Sequence, residues 1–423
     1  MIKFLDKFFL RSNNLNYLSK SIKELTKNSG AYKIFDAINS YSEKSEIRYV
    51  GGCIRKIINN EKVDDIDLAS NLEPQQVCEA LKKKNISYFE TGIEHGTITA
   101  VVNNFNFEIT TLRNDIKTDG RHAVVEYTTN WEEDSLRRDF TINSIYSDLD
   151  GNLYDPNNGH KDLDNGKVKF IGDPEKRIKE DYLRIIRYLR FFTEYSNTDH
   201  DPKIIKIIKQ NIEGLGKVSK ERQFNELLKI FKTNNFIKIF KNKISIDLFS
   251  LIFPQLKNYE IFKKLTKYSE EILSSKTFPF FISLLVIDET DNSDYFMYKY
   301  NLSNEIKSKI NFLKKNLYIK GVHQIPNKKE LQKKFYYEGK SNVIDLIDFN
   351  ILSFKKNKKL LELKKYFENL DELIFPIKAQ VLIDEYGFTE GKELGEQLKN
   401  LELKWIENNF SISKKEVEKV LTN

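Results

Sequence analysis

Tyr49-Val50-Gly51-Gly52-Cys53-Ile54-Arg55, followed ten residues later by Asp65-Ile66-Asp67, is the stretch from which the rest of the chain can be read. An apolar strand running into a glycine pair lets backbone N–H groups come close to an anion, because no Cβ stands in the way. Two aspartates at i and i+2 on a strand project to the same side of the sheet. Such a pair crowds unless a cation neutralises it, and Mg2+ is the usual cation beside phosphates. Together the two features suggest a site for nucleotidyl transfer.

Alone, an Asp-x-Asp is more often a solvated acidic turn, and a third carboxylate changes that balance. In Phe105-Asn106-Phe107-Glu108-Ile109-Thr110 the apolar residues alternate with Asn106, Glu108 and Thr110. On a neighbouring strand Glu108 would lie beside Asp65 and Asp67. Three carboxylates supply the charge of a two-metal site, whose ions sit about 3.5–4 Å apart and steady the attacking and leaving oxygens.

The chain is long enough, at 423 residues, for a sizeable core and two to four parts. Its hydrophobic fraction of 40% and charged fraction of 31% are those of a soluble globular protein. A net charge of +7 is a mild bias, compatible with a polyanionic partner without requiring one. Cys53 and Cys78 give neither a metal-ligand cluster nor a disulfide framework, which suits a reducing cytosol. No apolar run is long enough for a transmembrane helix. The first ten residues carry Lys3, Asp6 and Lys7, too much charge for a signal peptide. The expected location is therefore cytoplasmic, with an organelle presequence over residues 1–30 left open.

Strand patterns occupy 47–50, 66–69, 98–102 and 105–112, with Asn103-Asn104 as a tight hairpin turn between the last two. Helices fit 53–59 and 74–84. Beyond about residue 131 the strand signal fades into helical Ile/Leu/Phe/Lys patterns, broken at 196–202, 289–293 and 321–327. There is no internal repeat. The expected fold class is α+β, a small mixed-sheet head followed by an all-helical remainder.

Further polar motifs lie in that remainder. In Arg137-Arg138-Asp139, with Asn143, a helix would put Asp139 and Asn143 on one face. Arginines there can fork onto phosphate oxygens while Asp and Asn bond ribose hydroxyls; the plainer reading is a surface ion-pair cluster. Asp173-Pro174 starts a helix as N-cap and first residue. Its apolar stripe is Ile178, Tyr182, Ile185, Ile186, Leu189 and Phe192, with Asp181, Arg184 and Arg187 outside it. By itself the Asp181–Arg184 spacing reads as a helix salt bridge. Residues 114–122, with Asp115, Asp119, Gly120 and Arg121, form a polar loop between two strands. Lysines from 307 to 334, interleaved with Phe335, Tyr336 and Tyr337, either follow RNA phosphates or form a solvated face. Of the histidines His200, beside Asp201, has no second histidine near it and gives no sign of a metal phosphohydrolase.

Six blocks, in order, resemble the class II tRNA nucleotidyltransferases, the CCA-adding branch of the DNA polymerase β-like superfamily. They are Gly51-Gly52-Cys53-Ile54-Arg55 with Asp65-Ile66-Asp67-Leu68-Ala69; Thr91-Gly92-Ile93-Glu94-His95-Gly96-Thr97; Phe107 to Arg113; Asp119-Gly120-Arg121-His122; Arg137-Arg138-Asp139-Phe140-Thr141-Ile142-Asn143; and Glu180-Asp181-Tyr182-Leu183-Arg184. Lys56 departs from the aspartate frequent after the arginine, outside the carboxylates. The resemblance implies that Asp65, Asp67 and Glu108 are catalytic, with Asp65 and Asp67 on Mg2+. It implies nucleotide contacts from Gly52, Arg55, Arg138, Asp139, Asn143, Asp181, Arg184 and Arg187. Arg113, Asp119 and Arg121 would belong to a flexible loop needed to switch from C to A addition.

An Asp acceptor and an Arg donor fork match cytosine (N4 donor, N3 and O2 acceptors) and adenine (N6 donor, N1 acceptor). Uracil and guanine present the reverse. CTP and ATP are therefore the implied substrates and the tRNA 3′ end the partner, with monomer or homodimer open. The implied parts are an N-terminal helical extension (1–30), head (31–165), base-reading neck (166–230), body (231–305) and tRNA-binding tail (306–423). The competing readings are a bacterial poly(A) polymerase, an enzyme adding only CC or only A, and a catalytically inert RNA binder on the same scaffold.

Overall fold

The computed structural model describes residues 14–118, 123–233, 235–319, 322–323, 327–353 and 358–422. It divides into two compact units, Met1–Ile252 and Phe253–Asn423.

In the first unit the strands are β1 (Ile47–Val50), β2 (Ile66–Ser70), β3 (Ser87–Gly92), β4 (Thr97–Val102), β5 (Phe105–Thr111), β6 (Arg113–Thr118), β7 (Ala123–Tyr127), β8 (Tyr146–Ser147) and β9 (Leu153–Tyr154). Seven of them make one mixed sheet in the order β3-β4-β5-β2-β1-β8-β9, while β6 and β7 pair separately. Among the described strands only β2 and β5 run parallel, and their register sets Asp67 opposite Glu108. Ile66, Leu68, Phe107 and Ile109 point to the core with Ile98 and Ala100 of β4. Period-2 alternation therefore places Asp67 and Glu108 on the other face.

Helix α1 (Asn14–Ser29) sends Leu18 and Ile22 into this same core, so the N-terminal helix is built into the sheet domain. Asn103 and Asn104, both at positive φ, form the expected tight turn between β4 and β5. Helices α2 (Gly52–Ile58) and α3 (Pro74–Lys83) lie close to where the sequence places them.

Several elements depart from the sequence reading. β3 is an edge strand with mostly exposed side chains, so it has no alternating apolar face to reveal it. β8 and β9, past residue 131, have two residues each, too few for any periodicity. Of the polar segment read as a loop over 114–122, residues 114–118 belong to β6, which pairs antiparallel with β7; Asp119 and Arg121 lie outside the described residues.

Helices α4 (Trp131–Leu136), α5 (Pro174–Glu180), α6 (Leu183–Tyr195) and α7 (Lys220–Lys232) complete the parts that shape the site. Asp173 caps α5 through the Lys176 N–H at 2.8 Å, with Pro174 first in the helix, as expected.

In the second unit the helices Phe278–Val286, Asn304–Leu317, Lys340–Ser353 and Lys358–Glu368 pack on one another. Leu382, Leu394, Leu401 and Val417 form a separate core among the last helices. The short pair Tyr318–Ile319 and Val322–His323 corrects the expectation of an all-helical remainder. Two of the tail lysines are tied down, Lys309 on Asp345 at 2.6 Å and Lys314 on Asp294 at 2.7 Å, so neither is a free cation. No described helix is long and apolar enough to cross a membrane.

Candidate active site

Gly51 ends β1 at φ +68, a backbone setting that strains residues with a Cβ, and it caps α2. A Cβ on Gly51 would stand 3.7 Å from Arg138 Nη1, and one on Gly52 would stand 3.7 Å from Asp67 Oδ2. The glycine turn is thus where a carboxylate and an arginine head come together. Around it opens a cavity of about 1330 Å³. Gly52, Arg55, Asp65, Asp67, Arg113, Arg138, Asp139, Asn143, Asp181, Arg184 and Arg187 all line it.

Asp67 is half-buried and its carboxyl is pushed above the ordinary range. Burial is the first cause and the Glu108 charge the second; Asp65 adds to it, against the pull of Arg138 and Arg55. Asp65 is exposed, one residue before β2 begins. Glu108 lies beside Asp67 across the β2–β5 pair, as the alternation suggested, and its charge reaches the Asp67 carboxyl. Glu108 opposes Asp67 in register yet is exposed and does not line the cavity. Among the described residues no three Asp, Glu, His or Cys side chains gather closely enough to hold a metal. The donors are nonetheless hard carboxylate oxygens, the kind a divalent cation takes, and the Glu108 and Asp65 charges add to the upward push that burial begins at Asp67.

Asp139 and Asn143 do meet, the amide donating to Oδ1 at 2.8 Å, though not along one helix. Helix α4 stops at Leu136, Phe140 pairs in a bridge with Phe170, and Thr141–Asn143 is a short 3-10 turn. Arg187 grips the other oxygen of Asp139 at 2.6 Å. Burial opposes the ionised form of Asp139, but Arg187 and Asn143 outweigh it and hold the carboxyl far below the usual carboxylate range. Arg55 is buried, donates to the Asn143 side-chain oxygen, and lies over the rings of Phe191 (4.8 Å) and Tyr195 (5.1 Å).

The helix expected to carry Asp181 and Arg184 together is broken between them. α5 ends at Glu180, Asp181 is extended, and α6 begins at Leu183. The single apolar stripe is accordingly split: Tyr182 and Phe192 are half-buried, while Leu183, Tyr188 and Phe191 are buried. Tyr182 lies so close to Gly214 that a Cβ there would stand 2.0 Å from its ring, so only glycine admits this arrangement. Asp181 and Arg184 are not a salt bridge to each other. Asp181 Oδ2 accepts from Arg222 at 2.8 Å, and Arg184 Nη1 donates to Glu180 at 2.7 Å. Glu226 of α7, capped at its start by Ser219, holds Arg190 at 2.7 Å and lies 3.8 Å from Arg187. Arg222 and Glu226 therefore brace this segment.

Asp134 and Arg177, which act on the site, escaped the sequence reading, and Glu180 entered it only within a matched block. Asp134 binds the side chains of Arg137 and Arg138; Glu180 binds Arg184; Arg177 donates through Nη2 to the carbonyls of Arg137 and Arg138. Glu180 and Asp134 each stand three or four residues before an arginine, which is the spacing signal available for them. His200 is structural: it is buried, stacks on Phe192, and bonds Tyr188 (3.1 Å) and Ser245 (2.8 Å).

Residues 47–169 match the family model described as the poly A polymerase head domain, and 200–260 one described as a probable RNA and SrmB-binding site of polymerase A. Over 391 residues the chain is 35% identical to human "CCA tRNA nucleotidyltransferase 1, mitochondrial", covering 89% of this chain and 86% of that protein. It is 31% identical to the CCA-adding enzyme of Staphylococcus haemolyticus, covering 81% and 80%. The fold is similar to that of the Bacillus stearothermophilus CCA-adding enzyme solved with CTP, at a TM-score of 0.64 and 19% identity, covering 90% and 92%.

Proposed function

This chain belongs to the CCA tRNA nucleotidyltransferase family, and from that premise we propose that it adds C, C and A to the tRNA 3′ end. It would use CTP and ATP without a template and release pyrophosphate. The observation that carries the proposal is the single cavity shared by the glycine turn, Asp65, Asp67, the Arg138–Asp139–Asn143 group and the Asp181–Arg184 break.

The activity is dependent on a divalent metal, as the family implies. Asp65 and Asp67 would hold that cation, Mg2+ in our proposal, which when bound neutralises charge at the reacting phosphate oxygens. Glu108, exposed and opposite Asp67 in register, would be the carboxylate that meets the primer hydroxyl. Arg138 and Arg55 take phosphate oxygens, and the Asp139–Asn143 pair takes the ribose hydroxyls. Positioning and fixed charge then supply most of the rate. Asp181, steadied by Arg222, accepts from the exocyclic amine of cytosine or adenine, while Arg184, steadied by Glu180, donates to the ring acceptor. Arg187, locked on Asp139, ties the sugar contact to the base-reading helix. Arg113, at the root of the hairpin, would work with Asp119 and Arg121 in the C-to-A switch.

In this proposal 31–165 catalyse, 166–230 read the base, and 231–305 with 306–423 hold the tRNA. A cytoplasmic location, supported by the two free cysteines, completes it; fractionation of cells would decide that point.

The test is nucleotide choice. Arg184→Ala should add UTP or GTP at roughly a tenth or more of the CTP and ATP rates, as loss of a charged hydrogen bond relaxes discrimination. Unchanged CTP and ATP preference would remove the base-reading role.

A further inference from the structure

The strongest unassigned feature beside the cavity is the side chain of Asp134. It is 0% exposed, and both its oxygens are fully engaged. Oδ1 accepts from Arg137 Nε at 2.8 Å and from the Arg113 backbone N–H at 3.3 Å. Oδ2 accepts from Arg138 Nε and Nη2, at 3.2 and 3.1 Å, and from the Tyr146 hydroxyl at 2.6 Å. Burial disfavours its charge, but Arg138 and Arg137 more than compensate and keep it ionised. Donors on β6, the turn after α4 and β8 thus fix one carboxylate from three sides, so it cannot swing.

The geometry at Arg138 shows what this fixing does. Its Nε–Nη2 edge is spent on Asp134, and Tyr146 Oη meets Nε again at 3.1 Å. The remaining Nη1 faces the glycine turn, 3.7 Å from where a Gly51 Cβ would be. An arginine held by one edge presents the other in a single direction, which suits a planar fork meeting a phosphate.

We propose that Asp134 is a positioning residue: it locks the inner edge of Arg138 so that the outer edge meets the triphosphate of the incoming nucleotide. The proposal rests on the phosphate-binding reading of Arg138. A buried ion pair that served only stability would not need one guanidinium edge left toward a cavity.

Calorimetry of the full-length chain with CTP and with CMP, which share base and sugar, isolates the terminal phosphates. Asp134→Asn should shrink the CTP-to-CMP affinity ratio by ~10-fold and Tyr146→Phe by ~3-fold, with CMP affinity little changed, as expected for charge-assisted bonds loosened rather than deleted. If both variants weaken CTP and CMP alike, Asp134 is merely structural and the proposal falls. Should Asp134→Asn fail to fold, Tyr146→Phe decides by the same ratio. Arg138→Ala separates the two layers: an unchanged ratio there overturns the phosphate reading itself, whereas a collapsed ratio with Asp134→Asn and Tyr146→Phe at the wild-type value overturns the positioning role alone.

Discussion

At the scale of single residues, the site is a set of charges that each need a partner. Asp139 has Arg187, Glu226 has Arg190, and Asp134 has two arginines. Asp67 differs: its carboxyl is pushed up by burial and then by Glu108, with arginine charge only partly offsetting them. That imbalance marks the end of the cavity where the metal is expected. Asp65→Ala is accordingly predicted to cut nucleotide transfer by roughly a thousandfold or more, the order of several kcal/mol of lost charge stabilisation. tRNA binding, measured by gel shift, should survive; retained turnover would refute the metal assignment. That Asp65, Asp67 and Gly52 border one cavity was legible because they stand close together in sequence around one glycine turn. Asp134 was not, because its role depends on Tyr146 and Arg113, which the chain brings in from other strands.

At the scale of elements, strong periodicity was read correctly and short or edge elements were missed. β2 and β5 alternate cleanly; β3 exposes most of its length, and β8 and β9 are too short to alternate. The break between α5 and α6 was invisible for a different reason. The flanking Lys179, Glu180, Leu183 and Arg184 are good helix formers that mask the break at Asp181, beside which Tyr182 packs on Gly214. The same element carries a pH dependence. His200 packs against α6 through Phe192 and Tyr188, and burial pushes its imidazole down to about 4. Its unfolded value is near 6.5, so the unfolded chain binds the proton more readily between about 6.5 and about 4. Folding stability from this residue is present above that window and is lost as pH falls through it. Denaturant unfolding of His200→Gln is expected to show a weaker acid dependence than wild type across that interval. An identical slope would mean the imidazole is not the sensor.

At the scale of the whole molecule, the chain combines a mixed-sheet head with a mostly helical remainder, as the fade of strand signal past residue 131 implied. The second unit has its own buried charge network. Lys276 bonds Asp345 and Asp348, which also receive Lys309 and Lys364 respectively, each contact within 2.8 Å. Desolvation offsets much of the attraction in such a network, while removing one partner would leave a costly buried charge. No sequence spacing short of the full fold pairs residues 276 and 348. The measurement closest to the central claim uses three labelled tRNAs, ending before CCA, after C and after CC, with the intact chain, Mg2+, CTP and ATP. The account predicts that each grows to CCA and then stops. A long A tail, arrest at CC, addition of the final A alone, or no growth at all would contradict it.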